Sequence, residues 1–170
     1  MTRDEIEQGK GTKAGPQAQR FLGFSLGSEQ YAMPLPSVRE VIAIPEITSI
    51  PQLPSHYLGL MNLRGQVLSV IDLRLKFGIK ADRTAETAVI ICEIAEQPVG
   101  LVVTSINSVL AMEESEISPR PAIQSDKPAE YIMGVAHSGK KLILLLDVSK
   151  LFNLTEQTSI KNATASLKPV

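Results

Sequence analysis

Short apolar segments recur in pairs along this chain, and only a few turn-forming residues separate the two members of each pair. Segments of this length are typical of β-strands, and a tight turn between two of them predicts an antiparallel hairpin. The strongest turn signal is Ser138-Gly139-Lys140, because glycine readily adopts a positive φ. The four predicted hairpins comprise residues 21–26 with a return strand from 31, 58–63 with 66–71, 88–95 with 99–103, and 131–137 with 142–146.

Four hairpins in one small domain predict an all-β, antiparallel fold. Hairpins of this length close into small barrels more readily than they build large sheets, because closure removes exposed strand edges. A chain of 170 residues can bury roughly two thirds of its unfolded surface. Its core therefore needs no disulfide or cofactor to be stable.

Two of the predicted strands run directly into a short helical signal. Asp72 is a candidate N-cap, basic residues follow in the last turn, and Gly78 ends the segment. Residues 147–152 repeat this arrangement from Asp147. The repeat predicts internal pseudo-symmetry, but it is too short to distinguish a duplication from chance.

The folded unit is predicted to span residues 20–154. Residues 1–19 contain a single large apolar residue after Met1, namely Ile6, and therefore predict a disordered N-terminal tail. Residues 155–170 are polar and predict either a flexible C-terminal tail or a short helical extension. Five prolines between the first two hairpins predict an irregular but rigid connection, at positions 34, 36, 45, 51 and 54.

The charge balance argues against a nucleic-acid partner. Lysine and arginine number 17 against 18 acidic residues, and aromatic residues for base stacking make up only 4% of the chain. The N-terminus lacks the apolar core of a signal peptide, and the apolar runs elsewhere are too short to cross a bilayer. We therefore expect a cytoplasmic protein that does not insert directly into a membrane.

The residues that usually carry catalysis are sparse and scattered. His56 and His137 lack a partner at metal-ligand spacing, and Cys92 lies in an apolar run that predicts a buried thiol. The acidic residues at 113–116 are typical of a solvated turn, and the chain contains no phosphate-binding or nucleophile-elbow motif. These observations predict a protein that is not an enzyme and that binds no metal and no cofactor.

Arg64 occupies the predicted turn of the second hairpin. An arginine at such a turn can be a plain solvated residue that contributes little. Alternatively, its rigid five-donor fork can hold a carboxylate or several carbonyl groups in a groove between barrels. The physical chemistry of the sequence leaves both interpretations open.

Four blocks of the chain are FSLGSEQYAMPLPSVREVI, GLMNLRGQVLSVIDLRLKFG, PVGLVVTSINSVLAM and EYIMGVAHSGKKLILLLDVSKLF. In order and spacing they resemble the blocks of the chemotaxis coupling family, CheW. The first resembles the family's opening, the second its most characteristic block, and the other two its later blocks. One departure is Thr104, where relatives commonly carry an aspartate, so a hydrogen bond from that side chain is in question.

The resemblance implies two intertwined SH3-like five-stranded barrels with short helices and one shared hydrophobic core. It also implies a non-catalytic adaptor that couples the cytoplasmic tips of methyl-accepting chemoreceptors to the regulatory domain of a CheA-type histidine kinase. Such a protein is expected to be monomeric in isolation and to be recruited from the cytoplasm to membrane-associated receptor arrays. The alternative is a coupling protein of a non-flagellar pathway, such as one that governs pilus motility.

The resemblance also indicates which residues bind partners. It places Arg64 at the receptor-facing groove, with Glu40 as its ion partner. The glycines among the remaining positions can equally serve turns or close backbone approach. The other residues that it implies for partner binding are Val38, Gly59, Asn62, Gly65 and Gly134.

Overall fold

The computed structural model describes residues 2, 3, 6, 18–119 and 130–165, and most of its secondary structure is β-strand. A 3-10 turn, Leu35–Ser37, precedes the third strand, and two further 3-10 turns, Glu114–Glu116 and Val148–Lys150, lie later in the chain. The strands are β1 (Gln19–Leu26), β2 (Glu29–Pro34), β3 (Val38–Ala43), β4 (Tyr57–Leu63), β5 (Gln66–Asp72), β6 (Ala88–Ile94), β7 (Gln97–Val103), β8 (Ser105–Met112), β9 (Ile117–Ser118), β10 (Ile132–Ser138) and β11 (Lys141–Leu146). The α-helices are α1 (Leu73–Lys76) and α2 (Leu154–Ala165).

The strands form two sheets, and the chain passes from the first sheet to the second and back again. The first sheet has the order β8-β1-β2-β11-β10-β9, and the second has the order β3-β6-β7-β5-β4. We call the first sheet barrel 1 and the second barrel 2. The chain leaves barrel 1 after β2, completes β3 to β7 in barrel 2, and returns with β8. Each half of the sequence thus contributes strands to both barrels, which confirms the predicted intertwined all-β fold.

The two barrels repeat one pairing scheme. In each barrel a hairpin, β4–β5 or β10–β11, pairs through its second strand in parallel with another hairpin, β6–β7 or β1–β2. The registers agree residue by residue, because Leu145 opposes Ala32 just as Val70 opposes Gly100. The pseudo-symmetry predicted from Asp72 and Asp147 is therefore present in the pairing of five strands in each barrel.

Apolar side chains fill three clusters. One cluster lies within barrel 1 around Phe21 and Leu145, and a second lies within barrel 2 around Leu68 and Val102. The largest cluster draws on β-strands of both sheets and on the turns that follow β5 and β11, with Phe24, Leu101 and Leu146 all fully buried. Burial of apolar surface dominates the stability of such a fold, so this shared core holds the two barrels together.

Both Asp-capped turns form as predicted. The Asp72 carboxylate accepts a hydrogen bond from the Arg74 backbone N–H at 2.9 Å at the start of α1. The Asp147 carboxylate accepts one from the Ser149 N–H at 3.0 Å, where the helical turn is of the 3-10 type. Caps of this kind satisfy N–H groups that would otherwise lack a partner at a helix start.

The C-terminal segment, for which the sequence left a tail and a helix open, contains the twelve-residue helix α2. Asn153 and Glu156 form a reciprocal capping box at its start, with hydrogen bonds of 2.8 and 2.9 Å. Ile160 lies in the shared core with 1% of its surface exposed and anchors the helix.

Most of the predicted N-terminal tail, residues 1–19, lies outside the described residues. Where the structure describes it, it contacts the fold. Ile6 is only 4% exposed within the shared core, and β1 begins at Gln19. The prediction of a tail without burial is therefore wrong at Ile6.

The four predicted hairpins are confirmed, and no strand end differs from its prediction by more than two residues. The prediction of an irregular connection after the first hairpin is wrong over Val38–Ala43, which forms β3. No proline falls within that segment, so its backbone N–H groups remain available for pairing with β6. Strand β8, with which the chain returns to barrel 1, was also not predicted from the sequence.

Candidate functional site

The turn between β4 and β5 has an unusual backbone. Arg64 and Gly65 occupy its two central positions with φ values of 50° and 87°, which is the pattern of a type I′ hairpin turn. Glycine adopts such values easily, whereas an arginine in the left-handed region is uncommon. The Asn62 side chain supports the turn, since its Oδ1 accepts a hydrogen bond of 2.9 Å from the Gly65 N–H.

The Arg64 guanidinium pairs with the Glu40 carboxylate, as the sequence analysis expected. Glu40 lies on β3 and Arg64 follows β4, which are the two edge strands of barrel 2. The ion pair therefore connects the two edges of one sheet. The Arg64 side chain keeps 70% of its surface exposed, while the Glu40 side chain keeps 11%.

A groove of about 310 Å³ lies beside this pair. It is not the predicted groove between barrels, because apart from Thr2 its described lining belongs to barrel 2. The reason lies in the sheet order, which places β3 and β4 at opposite edges of the same sheet. The lining residues are Thr2, Arg39, Glu40, Leu63, Arg64, Gln66, Leu68, Ile91 and Pro98.

The other residues implied by the resemblance are dispersed. Asn62 and Gly65 are exposed and belong to the Arg64 turn. Val38 begins β3, but its side chain is fully buried in the shared core. Gly134 lies on β10 in barrel 1. The structure therefore unites Glu40, Asn62, Arg64 and Gly65 and separates the rest from that surface.

Gly59 and Gly134 occupy equivalent positions at a bulge in β4 and β10. A Cβ on Gly59 would lie 2.0 Å from the Thr48 carbonyl oxygen, and one on Gly134 would lie 3.0 Å from that of Ser118. Thr48 forms an antiparallel bridge with Leu60 on β4, and Ser118 on β9 pairs in the same sense with Val135 on β10. Both glycines thus admit a crossing segment of backbone, which is a structural role.

A second polar cluster connects α2 to barrel 2 and was missed by sequence analysis. Glu156 lies 3.0 Å from the Lys76 Nζ and 3.5 Å from His56 Nε2, so His56 is not isolated. Burial, reinforced by Lys76 and opposed by Glu156, lowers the pKa of His56 below 6.5. Burial raises the pKa of Glu156, but hydrogen bonds from Asn153 and Lys76 outweigh it and lower the pKa below 4.5.

The described residues contain no group of three His, Cys, Asp or Glu side chains that could hold a metal ion. Cys92 is fully buried, as predicted, and burial raises the pKa of its thiol to about 12. Thiols with so high a pKa are poor nucleophiles at neutral pH. Among the helices that the structure describes, none is both long and apolar enough to span a membrane.

Known proteins resemble this chain in sequence and in fold. A family model described as the CheW-like domain matches residues 20–156. The chain belongs to the CheW-like family. It is 33% identical to the probable chemotaxis protein CheW of Rhizobium etli over 81% of this chain and 90% of that protein. It is 32% identical to the chemotaxis protein CheW of Klebsiella aerogenes, over 87% and 90% of the two chains.

A solved CheW structure has the same fold. The scaffolding protein TtCheW from Thermoanaerobacter tengcongensis matches with a TM-score of 0.74 and 33% identity, over 81% of this chain and 94% of that one. The predicted family and fold are thus confirmed, and the chain is a chemotaxis coupling adaptor of a scaffold family. At Thr104, where the resemblance put a side-chain hydrogen bond in question, the hydroxyl accepts a hydrogen bond of 2.9 Å from the Gly27 N–H.

Proposed function

We propose that this protein joins the cytoplasmic tips of methyl-accepting chemoreceptors to the regulatory domain of a CheA-type histidine kinase. In this proposal the surface of barrel 2 formed by Glu40, Asn62, Arg64 and Gly65, which we call the Arg64 edge, contacts the receptor. An outer barrel face docks the kinase domain. The protein catalyses no reaction and acts at membrane-associated receptor arrays on their cytoplasmic side. Its effect is a coupling free energy, because receptor state and kinase activity influence each other through a shared scaffold.

The observation that carries the proposal is that the Arg64–Glu40 pair occurs in one barrel only. The registers place Gly139 at the position of Arg64 and Ser108 at that of Glu40, and neither residue carries a charge. Barrel 1 forms a two-residue turn at the equivalent place without such a pair, so the hairpin itself does not require it. Its presence at an exposed turn of barrel 2 supports a role in binding.

The chemistry of the pair suits recognition. A guanidinium presents five N–H donors in a fixed plane, and Glu40 engages it from one side while most of the group stays in solvent. The remaining donors are free to meet carboxylate or carbonyl oxygens of a partner with defined geometry. Glu40 thus orients the Arg64 guanidinium, whose remaining N–H groups donate hydrogen bonds to the partner.

A reconstituted kinase assay tests this proposal. It contains a chemoreceptor cytoplasmic fragment, CheA and the full-length protein, and it measures receptor-stimulated autophosphorylation. We expect Arg64→Ala to lower activation by about tenfold, since loss of one hydrogen-bonded interfacial charge often costs that much affinity or more. The matched control is Lys140→Ala, an exposed cation in the equivalent turn of barrel 1, which should retain activation within about twofold. Equal activation by the wild type and Arg64→Ala would refute the proposal.

A second candidate is coupling in a non-flagellar chemosensory pathway. The matches extend from proteins named CheW to Protein FrzA of Myxococcus xanthus, which is 29% identical over 84% of this chain. Family membership therefore does not select the pathway. Pull-down from the native cytoplasm separates the two, because each pathway supplies its own receptors and kinase, and mass spectrometry identifies them.

A further inference from the structure

A short N-terminal segment lies beside the Arg64–Glu40 pair. Thr2 forms an isolated antiparallel bridge with Glu40, and the Arg3 guanidinium donates a hydrogen bond of 3.4 Å to the Pro36 carbonyl oxygen. The Ile6 backbone N–H donates a hydrogen bond of 3.0 Å to the Thr2 carbonyl oxygen. We call Thr2, Arg3 and Ile6 the N-terminal turn. It follows the chain from Pro36 to Glu40, along the outer edge of barrel 2.

The N-terminal turn contacts a terminal strand of the barrel 2 sheet. β3 is the last strand of its sheet, so one side of its backbone is not paired with another strand of that sheet. Exposed strand edges readily accept an additional segment of chain through backbone hydrogen bonds. Thr2 takes this place opposite Glu40 and also lines the groove beside Arg64. A partner that engages Arg64 would therefore meet the N-terminal turn.

Among the described residues of the turn, Ile6 supplies the apolar anchor. Ile6 is 4% exposed in the shared core, whereas Thr2 and Arg3 are exposed. The hydrogen bond of Arg3 is long and lies in solvent, so it contributes little. A segment with a single apolar anchor can leave its site without unfolding the domain, because local opening requires only the loss of its own contacts.

We propose that the N-terminal turn is a removable cover of the Arg64 edge, which competes in cis with the receptor for this surface. The inference rests on the proposed function, in which the Arg64 edge contacts the receptor. When the turn is bound, the receptor meets a partly occupied edge; when Ile6 leaves the core, the edge and the groove are open. Because only open molecules bind the receptor in this scheme, the apparent affinity is the intrinsic affinity multiplied by the fraction of molecules in the open form.

The test compares two isoleucines that each anchor a terminal segment in the same core. The full-length protein, with any tag at its C-terminus, is titrated with a chemoreceptor cytoplasmic fragment. Ile6→Ala releases the cover and should tighten the Kd by about three- to tenfold if the closed form predominates. Ile6→Asp should do so at least as strongly, because a carboxylate is excluded from an apolar site. Ile160→Ala truncates the anchor of α2 and controls for general loss of core packing.

Hydrogen exchange of the isolated protein supplies a second readout. Ile6→Ala should speed exchange of the β3 amides around Glu40, while Ile160→Ala should leave them unchanged. Unchanged or weaker binding by both Ile6 variants, with Arg64→Ala still reducing affinity, would overturn the cover and leave the proposed function standing. Unchanged binding by Arg64→Ala would overturn the proposed function and the cover together.

Discussion

The hairpins β4–β5 and β10–β11 share their strand pairing but differ at their turns, where Arg64 and Gly65 both have a positive φ and, of Gly139 and Lys140, only Gly139 does. Both contain a bulge at a glycine, both end at a capping aspartate, and both pair in parallel with a second hairpin. Arg64 in the first hairpin corresponds to Gly139 in the second. Features that the two barrels repeat therefore serve the fold, and exposed features confined to one barrel are candidates for function.

The largest expected difference in stability between the two hairpins is at their capping aspartates. The Asp72 carboxylate, besides capping α1, forms a buried pair with Arg74, with contacts of 2.9 and 3.0 Å. Asp147 caps a turn whose Ser149 is exposed. Asp72→Ala should lower the free energy of unfolding by about 3–5 kcal/mol, because it strands a buried guanidinium. Asp147→Ala should lower it by about 1 kcal/mol. Urea unfolding measures both, and equal losses would contradict this account.

The bulge glycines should differ by less. Gly59 has a φ of 139° and faces the Thr48 carbonyl directly, so Gly59→Ala should destabilise the protein by about 3 kcal/mol. An added Cβ at Gly134 first meets the Ile117 Cγ2 at 2.7 Å, and that side chain can move. Gly134→Ala should therefore lower the free energy of unfolding by about 1–2 kcal/mol. A larger loss at Gly134 than at Gly59 in thermal or urea unfolding would break the comparison.

The α2 cluster predicts a smaller, pH-dependent effect. Because the pKa of His56 is lowered in the folded protein, the folded state binds fewer protons than the unfolded state just below pH 6.5. Stability should thus be greatest above pH 6.5 and fall as the pH drops through the folded pKa, by less than about 1 kcal/mol for a partly exposed group.

The counterpart of His56 in barrel 1 supplies the variant that checks this effect. The backbone carbonyls of His56 and Tyr131 accept equivalent hydrogen bonds from Asp72 and Asp147, each of 2.7 Å. His56→Tyr should therefore remove the decline in unfolding free energy that we expect for the wild type between pH 7 and 5.5, as measured by urea titrations at each pH. The lowered pKa of Glu156 has the same sign, but its contribution is lost only at lower pH, below 4.5. A wild-type profile that rises on acidification over this range would be inconsistent with the cluster.

Local sequence signals predicted the hairpins and the caps, because turn chemistry and capping act over a few residues. Gly65, Gly139 and the two aspartates carry this information. β3 follows the β1–β2 hairpin but pairs with β6, and β8 follows the β6–β7 hairpin but pairs with β1. These pairings join residues far apart in the sequence, so no short pattern indicates them. β3 was further obscured by the prolines that flank it.

The candidate site was predictable only in part. The Arg64–Glu40 pair came from the family resemblance, since nothing local connects a turn residue to a distant strand. Its position on one barrel follows from the sheet order, which sequence patterns do not determine. Ile6 and the His56–Glu156 contact were missed because one apolar or charged residue in a polar segment carries little signal. The asparagine and glutamate of the α2 capping box were a detectable signal that the sequence analysis overlooked.

The most direct test of the central claim measures stability and binding on the same variant. An ion pair whose arginine is 70% exposed should contribute less than about 1 kcal/mol to folding. We therefore expect Arg64→Ala to leave the free energy of unfolding almost unchanged while it weakens the Kd for a chemoreceptor cytoplasmic fragment by about tenfold. A variant that loses stability but binds the receptor fragment as tightly as the wild type would show that the pair serves the fold, and would contradict the claim.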